Sequence, residues 1–261
     1  PCGRPPTIRE SSRRGVFCFI RGGNYMNTIN LKHPVKTAIL IDGGYYRKRA
    51  RSLFGAKTPK DSADELEKYC YWHLRDNYEQ RYLYRIFYYD CPPVTKNVYH
   101  PLLNKNINLG KTEEYAWANS FFDELRHRRK FALRMGKISD SAINYNLKPE
   151  ITKALMQGKK SLSELSENDF FISLEQKGVD MRIGVDISSL AFKKQVNQII
   201  LIAGDSDFVP AAKQARREGI DFILDPMHAP IKPDLFEHID GIRSPSVNYI
   251  TTRKKDDEQN A

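Results

Sequence analysis

Five aspartates stand where metal-assisted chemistry would need them. Asp180, Asp186, Asp205 and Asp207 fall within residues 178–224, GVDMRIGVDISSLAFKKQVNQIILIAGDSDFVPAAKQARREGIDFIL. A fifth, Asp42, ends a matching apolar run far upstream, in TAILIDGGYY. Carboxylates gathered at one sheet edge repel one another and are costly to keep ionised unless a cation neutralises them. Hard oxygen donors of this kind suit Mg²⁺ or Mn²⁺ better than zinc. The chemistry they suggest is metal-assisted hydrolysis of a phosphodiester. Each aspartate taken singly also fits a helix cap or a turn former. Asp186, before Ile187-Ser188-Ser189, reads as a cap, and Asp207 reads as one before Phe208. Two acids two apart in GDSDF, with Asp42 on another strand end, are more than one cap requires.

Elements able to position these acids alternate along the chain. TAILI and QIILI are continuous apolar runs, the pattern of strands buried on both faces. YLYRIFYYD, residues 82–90, is a third strand, stopped by Cys91-Pro92-Pro93; its aromatics would mostly be core, with some able to stack bases. FALRMGKI, IDFIL and MRIGVD are further strand candidates. Helices are expected over 64–78, 113–130 and 187–196, with shorter ones near 148–156, 169–176 and in KPDLFEHI. Pro210 suits the first turn of a helix that Gly219 closes. The stretch from Cys91 to about Thr112 reads as loop. This alternation predicts a mostly parallel sheet with helices on both faces. Ligands of such sheets gather beyond the carboxyl ends of the strands. Asp42, Asp90, Asp205 and Asp225 each follow an apolar run and so point to that edge.

The bulk composition narrows the classes. The chain has 261 residues, a net charge of +10, 40% hydrophobic and 28% charged residues. That is enough for one α/β domain with a real core, and the basic balance favours a polyanionic partner such as RNA. The four cysteines, Cys2, Cys18, Cys70 and Cys91, form no CxxC pair, which argues against structural zinc and suits a reducing cytoplasm. No apolar stretch reaches the length of a membrane span. There is no GxxxxGK[ST], GxGxxG or GxSxG, which argues against a nucleotide-triphosphate motor, a dinucleotide site and a nucleophile-elbow hydrolase. Residues 1–25 carry five arginines against one glutamate, and Met26 reads as a start. The expected organisation is a basic extension over 1–35, disordered or not native, then a domain over 36–245 and a disordered tail over 246–261.

TAILIDGGYY, FYYDCPP, FALRMGKI, QKGVDMRIGVDISSLA, the GDSDF segment and DPM together resemble, in order, NYN domain proteins of the LabA-like, PIN-like group. The resemblance spans roughly residues 36–245. It implies a Rossmann-like, three-layer PIN fold and metal-dependent ribonuclease activity that leaves a 5′-phosphate and a 3′-hydroxyl. Carried over, Asp42, Asp205 and Asp207 would be metal ligands, joined by Asp186 or Asp180, with Asp186 ranked slightly ahead. Arg47, Lys48, Arg49, Arg51 and Lys177 would hold the RNA backbone, or simply form a solvated helix face. One departure stands out. The family's DGxN has asparagine three residues after the aspartate, and this chain has Tyr45. That substitution favours the alternative, a non-catalytic RNA-binding or regulatory module, whereas the intact GDSDF acids favour the enzyme. An aspartyl-phosphate phosphatase would want an acid at position 44, which is glycine. A homodimer is a further expectation.

Overall fold

The structure is a computed structural model and describes residues 34–76, 79–139 and 143–252. The basic N-terminal extension and residues 253–261 lie outside the described residues. The chain runs through β1 (Val35–Asp42), α1 (Gly43–Phe54), α2 (Pro59–His73) and β2 (Arg81–Asp90). The middle stretch holds β3 (Asn97–His100), β4 (Lys105–Asn108), α3 (Glu113–Arg126), β5 (Phe131–Met135), β6 (Lys137–Ile138), β7 (Asn144–Leu147), α4 (Pro149–Met156), β8 (Phe170–Ser173) and β9 (Gln176–Lys177). The last third holds α5 (Val179–Phe192), β10 (Gln198–Ile202), α6 (Val209–Arg217), β11 (Asp221–Asp225), α7 (Pro233–Phe236), β12 (Gly241–Ile242) and α8 (Val247–Thr251).

Six strands form one sheet in the order β12-β11-β10-β1-β2-β5, every pairing parallel. Side chains of β1 alternate between two cores, because successive strand residues face opposite ways. Ala38 and Leu40 pack with Ile183, Ile187, Leu190 and Ala212 from α5 and α6. Ile39 and Ile41 pack with Tyr46, Leu66, Tyr69, Phe121 and Phe122 from α1, α2 and α3. Helices therefore cover both faces, the three-layer α/β architecture that the alternating elements predict. Of the aromatic run in β2, Phe87, Tyr88 and Tyr89 are buried, while Tyr82 is exposed.

Four local expectations are corrected. MRIGVD lies inside α5, which begins at Val179, so Asp186 does not open a helix. The buried residues Val179, Ile183, Ile187, Leu190 and Ala191 carry the helical period that a short apolar alternation obscures. The loop expected up to Thr112 contains the β3–β4 hairpin, built on a small cluster of Val98, Leu109 and Ile143. Residues 170–173 pair as β8 with β7 instead of forming a helix. The tail expected from 246 opens with α8, capped by Ser246, whose Ile250 is buried against the α1–α2 core. Lys68 of α2 donates to the Ile250 and Thr252 carbonyls. Among the described residues no helix is long and apolar enough to cross a membrane.

Candidate functional site

Parallel strands β1, β2, β10 and β11 deliver their last residues to one edge. Asp42 ends β1 and caps α1, its Oδ1 accepting from the Tyr45 N–H at 3.1 Å. Gly43 follows because a Cβ there would stand 2.6 Å from the Tyr89 carbonyl oxygen. Asp205 and Asp207 sit on the turn after β10, where Asp205 Oδ1 accepts from the Asp207 N–H. Asp180 lies in the first turn of α5, and Asp180, Asp205 and Asp207 are all exposed.

Electrostatics tie these four acids together. Burial pushes the Asp42 carboxyl up to about 6, and the charges of Asp180 and Asp90 add to the shift. Asp180 is itself raised, by burial first and then by Asp205 and Asp207. Among the described residues, little positive charge lies close to this group. Lys232 approaches Asp205 at 3.9 Å, with both side chains more than half exposed, a pair of small worth. Arg47 feels Asp42 but is committed to Asp90 at 3.0 Å.

Asp186 stands apart. Its Oδ2 accepts from the Tyr89 hydroxyl at 2.8 Å and from Arg134 Nε at 3.2 Å. Six residues along a helix is about 240° of rotation, so Asp180 and Asp186 cannot share a face. The geometry therefore groups Asp180, and not Asp186, with Asp42, Asp205 and Asp207. The basic residues also divide. Arg49 donates to the Met227 carbonyl at 2.6 Å and is structural. Lys48 and Arg51 are exposed and line a cleft between α1, α2 and α3 that begins at Gly44. Lys177 is exposed, with Glu175 3.6 Å away.

Tyr45, the departure from DGxN, has a place in the packing. Its hydroxyl donates to the Pro226 carbonyl. Its ring covers Gly204 so closely that a Cβ at 204 would run into it. The glycine of GDSDF is thus required by the tyrosine that replaces asparagine.

Two other strand-end acids are sealed. Asp90 is fully buried with Arg47, the Cys91 N–H and the Tyr88 hydroxyl. Asp225, also fully buried, accepts from the Tyr69 hydroxyl at 2.6 Å, the Met227 N–H at 2.8 Å and Ser244, and lies 2.8 Å from His73 Nε2. Sequence reasoning placed both acids at the edge but found neither set of partners. Tyr69 and His73 carried no signal beyond their place in the helix expected over 64–78.

The donor set fits a divalent cation in kind: hard carboxylate oxygens whose ionisation is resisted by burial and by one another. Among the described residues, no three His, Cys, Asp or Glu side chains form a ready ligand group. Magnesium, which keeps several of its waters, suits acids spaced more widely than a closed cage.

No curated protein matches the chain. A crystal structure of a protein of unknown function from Vibrio parahaemolyticus is similar at 16% identity, over 81% of this chain and 93% of that one, with a TM-score of 0.41. The NYN domain model matches residues 36–230, which include the whole acid edge, and the chain belongs to the NYN domain family of the PIN-like nuclease superfamily.

Proposed function

We propose that this protein is a ribonuclease that hydrolyses phosphodiester bonds at the edge formed by Asp42, Asp180, Asp205 and Asp207. One observation carries the reading. Asp42 is pushed up to about 6 beside a group of acids with little compensating charge. Raised, mutually repelling carboxylates mark functional sites more than stable folds. Nucleases of this superfamily generally use divalent metals. Asp42, Asp205 and Asp207, with Asp180, would hold Mg²⁺ or Mn²⁺, partly through water. A cation bound there supplies charge neutralisation at the phosphate and a lower pKa for water.

The chain's own groups do the rest. The Tyr45 N–H holds Asp42 Oδ1 and so fixes the carboxylate at the edge where the cation would be held. Lys48, Arg51 and Lys177 supply positive charge for the backbone of an RNA that the acids alone would repel. The products would be a 5′-phosphate and a 3′-hydroxyl. The pairing of QKGVD with GDSDF supports the LabA-like branch.

The second reading, a binding module without catalysis, is favoured by two observations: the lack of a ready three-acid group among the described residues and Tyr45 in place of asparagine. Cleavage of labelled single-stranded and structured RNA in Mn²⁺, Mg²⁺ or EDTA separates the two. The nuclease reading expects metal-dependent cutting that disappears in Asp42→Asn and in Asp205→Asn. Cutting that survives both substitutions, or none at all, would overturn it.

A further inference from the structure

The cleft between α1, α2 and α3 has a cavity of about 600 Å³, within the usual range for small-ligand sites. It shares Gly44 and Arg47 with the acid edge, so whatever fills it lies beside the carboxylates. Its walls differ in chemistry. On α1, the side chains of Lys48 and Arg51 make no hydrogen bond or ion pair among the described residues, whereas Arg47 is held by Asp90 and Lys57 by Glu65. On α3, Trp117 lines the cleft as a half-buried ring. It stacks on Phe121 at 5.1 Å and 16°, and its Nε1 donates to the Lys57 carbonyl at 2.9 Å. The indole is therefore already fixed and loses little freedom when a second ring lies on it. One turn before it, Glu113 and Glu114 line the same cleft, are exposed, and make no hydrogen bond or ion pair among the described residues.

Two free cations, a fixed aromatic face and two free carboxylates match the parts of a nucleotide. We propose that this cleft binds one unpaired nucleotide of single-stranded RNA, base against Trp117, phosphate toward Lys48 and Arg51, and that Glu113 and Glu114 select bases bearing an exocyclic amine. The base is taken unpaired, because a paired base would first lose its pairing and stacking, at a cost of a few kcal/mol, to enter a cleft. Ionised carboxylates only accept hydrogen bonds. Adenine, cytosine and guanine offer an amine there, whereas uracil presents carbonyl oxygens on either side of its single N–H. The inference rests on the ribonuclease reading for the identity of the polymer and for the chain's path past the acids. It does not rest on catalysis.

The test is equilibrium binding of short fluorescein-labelled oligoadenylate and oligouridylate to the full chain in EDTA, where no turnover occurs. Oligoadenylate is expected to bind more tightly than oligouridylate. Trp117→Ala should weaken it on the order of ten- to a hundredfold, the loss of one stacked base. Trp117→Phe, which keeps an aromatic face, should bind within a few fold of the wild type and guards against a folding artefact. Replacing both acids (Glu113→Gln with Glu114→Gln) should collapse the adenylate preference. Replacing both cations (Lys48→Gln with Arg51→Gln) should flatten the salt dependence by about 1.4 in slope. Absence of binding, equal affinity for the two oligomers, or a Trp117→Ala protein that binds as well as the wild type would each overturn the proposal. Binding of this pattern without Mn²⁺-dependent cutting would keep the cleft and sink the nuclease. Cutting without the pattern would do the reverse.

Discussion

Asp42 and Asp225 hold the same station on the two strands that flank β10, each as its strand's last residue. Asp225 is fully buried and accepts from Tyr69, Ser244 and the Met227 N–H, with His73 beside it. Asp42 accepts from the backbone at Tyr45 and Gly44, and its further neighbours include Asp180 and Asp90. Position at a strand end is common to both; the partners supplied by the rest of the fold differ. A carboxylate given donors becomes structure, and one given other carboxylates keeps an unmet need for positive charge.

The contrast can be broken most forcefully at its structural pole. Asp225→Ala leaves Tyr69 and His73 without their partner inside the core and should cost about 3–5 kcal/mol, as loss of one member of a buried polar pair does. Denaturant unfolding measures it, and a cost under about 1 kcal/mol would show that the network is not structural. At the other pole, Asp42→Asn and Asp205→Asn should lower RNA cleavage by about a hundredfold or more without any loss of stability. Asparagine caps a helix about as well as aspartate does, so α1 should not suffer.

Gly204→Ala tests how Tyr45 builds the edge. Forcing a methyl into the ring should cost about 1–3 kcal/mol. Adding Tyr45→Asn should recover much of that, and an additive double variant would contradict the packing described.

The pH dependence sharpens the same comparison. The folded pKa of Asp42, about 6, lies above its ordinary value of 3.8. The favourable contribution of its protonated form is therefore complete below 3.8 and is lost as pH rises through about 6. Measured in EDTA, Asp42→Asn should gain stability relative to the wild type as pH rises across that window. A difference that stays flat with pH would place Asp42 in an ordinary solvated environment.

The smallest effect is expected on α5. Asp186→Asn should leave cleavage unchanged and cost less than about 1.5 kcal/mol, since only the Tyr89 and Arg134 bonds are altered. A large loss of cleavage would return Asp186 to the site.

Much of the sheet was legible because TAILI and QIILI are apolar throughout, which is what burial on both faces demands. Pro210 and Gly219 bounded α6 through their fixed local conformations, with Gly219 at φ +79°. MRIGVD was misread because its short alternation imitates a strand, and only Val179 before it and Ile187, Leu190 after it reveal the helix. The β3–β4 hairpin was missed because strands such as KNIN carry almost no apolar signal and rest on only a small cluster.

The sequence by itself determined that acids would collect at the carboxyl edge of a parallel sheet, because strand ends, turns and glycines are local features. Which acids stay open was decided only by the tertiary structure. Tyr69 and His73 meet Asp225 across 156 and 152 residues, and Arg47 meets Asp90 across 43. Helical rotation sends Asp180 toward the edge and Asp186 toward Tyr89. A side chain's charge is written in the sequence, but the partners that satisfy or frustrate it are brought by contacts that only folding makes.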